Sequence, residues 1–528
     1  MIPLAPAAPH WRALAAVAVL ASAVACGGGN SGGAAPGAPR DRLIFAAAAD
    51  ATTLDPHNTT DTESDQVIMM VYEPLIAFDD QMRIVPRLAE RWSVADDGIT
   101  WTFHLRGGVR FHDGTPFDAE AVRLNFARVL DPVANHKRLS LFSMIDRVEA
   151  MDPLTVRFVT KYPFGAFEPT IAHVSSAIVS PTVAAAHGKA FGSSAAAVSG
   201  TGPYRVASWK KDQEVVLERF DGYWGTKGVT RQIVYRPIPE AAARVLALES
   251  GDVDVISRIP ATDIPRLEAR SDIEVHKLPG VGAQQFRFNM RKKPFDDPRV
   301  RQAISLAIDR QAIVRNLVSS FARPSTSALT PIMRGYTNLG EIPYDPEKAR
   351  ALLKAAGYPD GFATKIATTP RYPMGVELAE AVAADLKKVG ITAAIEVYDW
   401  ATMVQFWAGL PPEKNPQEIF IMGAGASTAD ADWGLRPIFR SAPTNENNYG
   451  YYSNAEFDRV IEAAMRETDP AKRQALYTRA QQIVYLEDPG AIWLFDTLYS
   501  VAARQAVTGV RPLPLGVVTF ERAAVTGP

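Results

Sequence analysis

The chain has 528 residues, 47% of them hydrophobic and 22% charged, with a formal net charge of −2. This is the composition of an ordinary soluble globular protein, and the body from about Arg40 onward is long enough for two or three domains. Near-neutral charge without basic runs argues against nucleic acid as a partner.

Arg12 precedes an apolar run, Ala13 to Ala25, of the length expected for a signal-peptide core. Its 13 residues are too few to cross a bilayer core of ~30 Å as a helix. Ala23, Val24 and Ala25 lead to Cys26, the only cysteine, so no disulfide can form within the chain. The stretch resembles a bacterial lipobox, with Ala23 where leucine is usual. That resemblance implies a removed signal peptide over residues 1–25 and a lipid on Cys26 that anchors the exported protein to a membrane, on the periplasmic or outer cell-surface side. An ordinary cleaved signal, with Cys26 incidental, is the competing reading. Gly27 to Pro39 is small, uncharged and unable to pack, so residues 26–40 are expected to be a lipidated cysteine and flexible tether.

Thr100 to Arg106 alternates apolar and polar residues, the period of a half-buried strand. Gly107-Gly108 breaks it before Val109-Arg110-Phe111 resumes a short one. Asp118 opens a helix with Ala121, Val122, Phe126 and Val129 on one face, and Leu154, Val156 and Phe158 alternate after the turn signal Asp152-Pro153. Asp297-Pro298 and Asp345-Pro346 each set an N-cap before a proline at the first helical position, and Gly357 ends the second helix. A strand over Lys365 to Ala367 and a helix over Val376 to Leu386 flank the loop Thr368 to Pro373. Ser453 and Glu456 form a capping box, and Asp469-Pro470 starts another helix. With no fixed repeat and no second low-complexity linker, the domains are expected to interleave.

No common catalytic constellation is present. The eight histidines are scattered, and His104 and His112 lack a third metal ligand. There is no Gly-x-Ser-x-Gly elbow, dinucleotide fingerprint or Walker A loop, so neither an enzyme nor an ATPase is expected, and no cofactor or metal.

Four co-linear segments carry a resemblance. They are Leu54-Asp55-Pro56-His57 with Val71 to Leu75; Thr102 to Phe117; Gly200 to Tyr204 with Asp221-Gly222-Tyr223-Trp224; and Phe288-Asn289 with Pro294 to Ala303. Together they are similar to the family 5 solute-binding proteins, which include dipeptide-, oligopeptide-, glutathione- and nickel-binding members. The resemblance implies an α/β, two-lobed periplasmic-binding-protein fold with mixed sheets, an inserted subdomain and the ligand in the interlobe cleft. Lobe I would comprise residues 41–62, 184–280 and 490–528, the insert residues 63–183, and lobe II residues 281–489. Strands near Val281 to Phe288 and Ile492 to Val501 would cross between the lobes. A ligand touching both lobes would shift the protein toward a closed form.

Three places are candidates for the ligand. Arg371, with Tyr372 beside it, sits at the carboxyl end of a strand, where open α/β sheets bind ligands. Its guanidinium suits the carboxylate of a peptide or glutathione; the alternative is a solvated surface arginine. In Gly425 to Leu435, Ser427 or Thr428 stands where the family's peptide binders carry an aspartate for the ligand's α-amino group. Asp430 or Asp432 would supply that charge instead, and the Asp-Trp-Gly form resembles the glutathione-binding branch; the alternative is that Asp432 caps a helix beginning at Trp433. Trp433 would stack on the ligand or pack inside. On lobe I, Thr60 and Asp61 would bond a peptide backbone or form a plain polar turn.

The function implied is the substrate-binding component of an ABC importer, a monomer that delivers short peptides or glutathione-like solutes to membrane permease subunits. Same-fold alternatives are a nickel-chelate or haem carrier, although no histidine falls in the candidate loops. A lipid-anchored solute sensor not coupled to transport is the alternative of another class.

Overall fold

The structure, a computed structural model, describes residues 39–318, 321–410, 414–441 and 447–526. The signal segment, Cys26 and the tether up to residue 38 lie outside the described residues. The last two tether residues do not: Pro39–Arg40 pairs as a short strand with Ala524–Thr526, and Arg40 binds Asp254 at 2.6 Å.

Among the described residues, eleven strands form one mixed sheet. Its path runs Thr392–Val397, Ala363–Thr368, Ile419–Gly425, Ile273–Phe288, Ala491–Arg504, Val255–Ser257, Arg42–Ala47, Gln232–Pro237, Glu214–Arg219 and Tyr204–Lys210, with Ala322–Pro324 beside Ala491–Arg504. Ile273–Phe288 and Ala491–Arg504 are the long members, and they pair antiparallel over most of their lengths. Ile273 to Pro279 pairs with Leu498 to Arg504; the register then breaks, and Ala283 to Arg287 pairs with Ala491 to Asp496. At the break, Thr497 Oγ1 donates to the Gly282 carbonyl at 2.8 Å. Each half of this strand pair therefore belongs to a different lobe.

Hydrophobic patterning explains why there are two lobes. At one end Leu43, Phe45, Ile233, Val255 and Val501 share a core, with Ile256, Val245 and Ala502 on the other face of the sheet. At the other end Phe286, Ile366, Ile419 and Leu494 pack against the helices Pro298–Ala307 and Gly375–Lys387. The opposite face there packs Trp493 and Ala491 under the helices Ala431–Phe439, Ala455–Arg466 and Pro470–Gln482.

Between residues 75 and 178 the chain builds a separate aromatic core on a four-stranded sheet, ordered Ala89–Val94, Thr100–Leu105, Thr155–Thr160 and Ile145–Asp152. Phe158 is at its centre, with the ring centres of Phe103, Phe126 and Phe167 at 5.4, 4.9 and 5.7 Å from its own. Gly108 and Gly114 turn the chain with φ of 76° and 85°, which costs little only without a Cβ. After Gly108 the expected short strand reduces to one bridge, Arg110 to Pro116. The helix Thr62–Val71, assigned by sequence to the insert, buries Val67, Ile68, Met70 and Val71 in the lobe core instead.

Side-chain caps start the helices where the sequence places them, at Asp118, Asp297, Asp345 and Asp469. One differs. The helix Ala455–Arg466 is capped by Asn454, which accepts from Phe457 N at 3.0 Å, so Ser453 is not the cap.

Candidate functional site

The insert and lobe II meet across a cavity of about 460 Å³. Ser140, Tyr162 and Phe164 line it from the insert, and Thr428, Asp432, Trp433 and Arg436 from the helix Ala431–Phe439 and the loop before it. A second cavity of about 220 Å³ shares Trp433, Pro437 and Asn447, and reaches Arg287 and the strand end Met422 to Gly425. Trp433 is half-buried at their junction, and its ring packs on the apolar cores of both the insert and lobe II.

Contacts hold the walls together. Gly165 N donates to the Met465 carbonyl at 2.9 Å, and Met465 is buried among the insert's aromatic residues. Arg334 faces Glu168 at 3.9 Å. Asp432 and Arg436, one helical turn apart, form a bidentate pair at 2.8 and 2.7 Å on the cavity wall. Burial alone would lower the Arg436 pKa, but Asp432 outweighs it and holds the guanidinium above its ordinary value. Thr428 Oγ1 is buried on the wall without a hydrogen-bond partner among the described residues.

The structure distributes the sequence candidates unevenly. Trp433 and Asp432 line the cavity. Asp430 is fully buried behind it, accepting from Arg473 at 3.0 and 2.6 Å and capping the helix through Asp432 N at 2.9 Å. The cap is thus Asp430 on a helix that begins at Ala431, not Asp432 on one that begins at Trp433. Ser427 is half-buried in the preceding loop. Tyr372 is half-buried beside the smaller cavity, its hydroxyl 3.6 Å from Met422 Sδ, and burial raises its pKa. Arg371 is exposed and lies over the Trp400 ring at 4.7 Å, outside both cavity linings. Thr60 is exposed; Asp61 caps the helix Thr62–Val71 through Ser64 N at 2.8 Å and accepts from Thr52 Oγ1 at 2.5 Å. Neither lines the two cavities.

Sequence reasoning missed Arg287, Tyr162 and Arg436. The available signal for Arg287 was a cation between two phenylalanines in a strand, where a charge is costly.

Two lobes crossed by a strand pair, with a walled cavity of mixed polarity between insert and lobe II, define a two-lobed binding protein of the periplasmic type. The chain belongs to the bacterial extracellular solute-binding proteins, family 5 Middle, whose family model matches residues 83–446. It is 34% identical to the glutathione-binding protein GsiB of Shigella flexneri over 91% of this chain and 94% of that one. It also resembles the periplasmic binding protein DppA of Helicobacter pylori, solved in complex with the peptide STSA. The TM-score is 0.78 at 29% identity, covering 93% of this chain and 99% of that one. A dipeptide-binding protein of Pseudoalteromonas sp. SM9913, solved with Met-Leu, gives a TM-score of 0.78 at 25% identity, covering 91% and 99%.

Proposed function

We propose that this protein is the substrate-binding component of an ABC importer, taking up short peptides or glutathione-like solutes and handing them to membrane permease subunits. The observation that carries the reading is the cavity of about 460 Å³ between insert and lobe II, lined in part by Trp433. Its volume falls within the ~300–1,000 Å³ of small-molecule sites, and its wall mixes aromatic rings with charged groups. Relatives that bind glutathione and a dipeptide support the ligand class. The role is capture and release, without catalysis, by a monomer. We divide the chain as the family resemblance implies, with the insert beginning after the helix Thr62–Val71.

The ligand is tested by mass spectrometry of whatever co-purifies, followed by calorimetric titration with glutathione and with di- and tripeptides. Binding of at least one supports the reading. Saturating levels of every probe without heat or displacement would remove it.

Cys26 is proposed as the lipid anchor, holding the body near a membrane on its exported side. Wild type should fractionate with membranes, and Cys26→Ala should be soluble after export. A wild-type protein already soluble outside the cytoplasm contradicts the anchor.

A further inference from the structure

A cavity of about 710 Å³ lies at the seam of the insert and lobe I, and it shares no lining residue with the two cavities at Trp433. The helix Ala119–Val129 walls one side and the helix Pro181–His187 the other. Leu124, Val179, Pro181, Ala184 and Ala185 give it an apolar surface. Leu124 is 39% exposed on a helix whose Val122 and Phe126 are fully buried, so this wall is apolar surface that the fold does not cover. The volume falls within the ~300–1,000 Å³ of small-molecule sites.

Two polar side chains on this wall have an atom without a partner among the described residues. Asn125 is 2% exposed, and its Oδ1 accepts from Val179 N at 3.1 Å. That bond fixes which end of the amide faces the backbone and leaves Nδ2, a donor, buried and unpaired. His136 is 9% exposed, and its Nδ1 is also buried and unpaired. An unpaired buried donor is costly, so such an atom marks a place where an acceptor belongs.

Charge defines the rest. Arg128 reaches the wall, but its fork is closed on Asp55 at 3.0 and 2.6 Å, and Asn58 Nδ2 donates to the same carboxylate at 2.7 Å. Burial, then the Arg128 charge, lowers the His136 pKa, so that ring is neutral. Lys189 is exposed on the cavity wall, with no hydrogen bond or ion pair among the described residues. No acidic side chain among the described residues lines the cavity. The wall therefore presents one uncompensated positive charge beside apolar surface. A zwitterion would bring an ammonium group that nothing there answers, and a dianion would bring a second charge without a partner.

We propose that this cavity is a second binding site, for a small monocarboxylic acid with an apolar body, whose charge is answered by Lys189 and whose oxygen atoms accept from Asn125. The apolar body covers Leu124 and the face of Pro181–His187. The site is independent of the interlobe cleft and of whatever solute the cleft takes.

The test is calorimetric titration of the full protein with octanoate, kept well below its micellar concentration, and with octanamide as the uncharged counterpart. Octanoate should bind at one site per protein and more tightly than octanamide. Lys189→Gln should weaken octanoate roughly two- to fivefold, the range of an exposed ion pair, and leave octanamide at its wild-type affinity. Lys189→Glu should weaken octanoate further. Ala185→Trp fills the cavity from an exposed position and should abolish binding of both probes. Wild-type melting temperatures show that these variants fold, since both positions are exposed. Three results would each overturn the site: no wild-type binding of octanoate, octanoate binding that Ala185→Trp keeps, or equal losses of octanoate and octanamide in Lys189→Gln.

Discussion

The carboxyl of Asp496 is raised from its ordinary 3.8 to about 7 by burial, with the Ser325 hydroxyl opposing the shift. Tyr485 is close enough for the Asp496 charge to raise its own pKa, and Arg323 is exposed across the strand. The folded protein therefore holds a proton here that the unfolded chain has already lost between pH 4 and 7. Stability from this group falls as pH rises through that window, by at most about 4 kcal/mol once both states are ionised. Asp496→Asn keeps an acceptor for Ser325 and removes the titration. In urea unfolding of the ligand-free protein it should be more stable than wild type at pH 8 and no more stable at pH 4. An equal difference at both pH values would show that Asp496 is not a strained ion. Neither this residue nor Arg287 was singled out from sequence. Each lies inside an apolar strand, Ile492 to Phe495 before one and Phe286 and Phe288 around the other, where periodicity reports only that a strand is present. Beyond its own strand, each meets a partner more than 100 positions away, Asn447 for Arg287 and Ser325 for Asp496.

Helices were the most legible elements, because their start signals are local. Asp118, Asp297, Asp345 and Asp469 cap where an Asp precedes an apolar-periodic run. The helix Ala431–Phe439 begins two residues before the start that the alternative reading of Asp432 as its cap would give, because two aspartates compete there and the choice is tertiary. Arg473, carried on Pro470–Gln482, binds Asp430 in a pair whose side chains are 10% and 0% exposed. That pair fixes the helix that presents Asp432, Trp433 and Arg436 to the cavity. Asp430→Asn can still accept from Asp432 N but leaves Arg473 buried without its counter-ion. The expected cost is about 3–5 kcal/mol in unfolding free energy, measured by urea denaturation. A change below about 1 kcal/mol, with a large loss of ligand affinity, would instead make Asp430 a direct ligand contact.

At the scale of the whole molecule, the four co-linear motifs found the family and its two lobes, and most of their residues are scaffold: Phe103, Phe111 and Phe117 are buried in the insert, and Phe288 and Phe295 in lobe II. The cleft was less legible because its walls come from distant segments, the insert around Tyr162 and the helix at Trp433, which meet only in the folded chain. The strand pair Ile273–Phe288 and Ala491–Arg504 is the continuous connection about which such lobes can turn. The contacts of Gly165 and Glu168 with Met465 and Arg334 join the insert to lobe II. Capture requires a solute that bridges the lobes to favour the closed form over the open one. Small-angle X-ray scattering of the protein, without solute and with saturating bound peptide, measures this directly. The account predicts a smaller radius of gyration with solute; superimposable curves at proven saturation would contradict it.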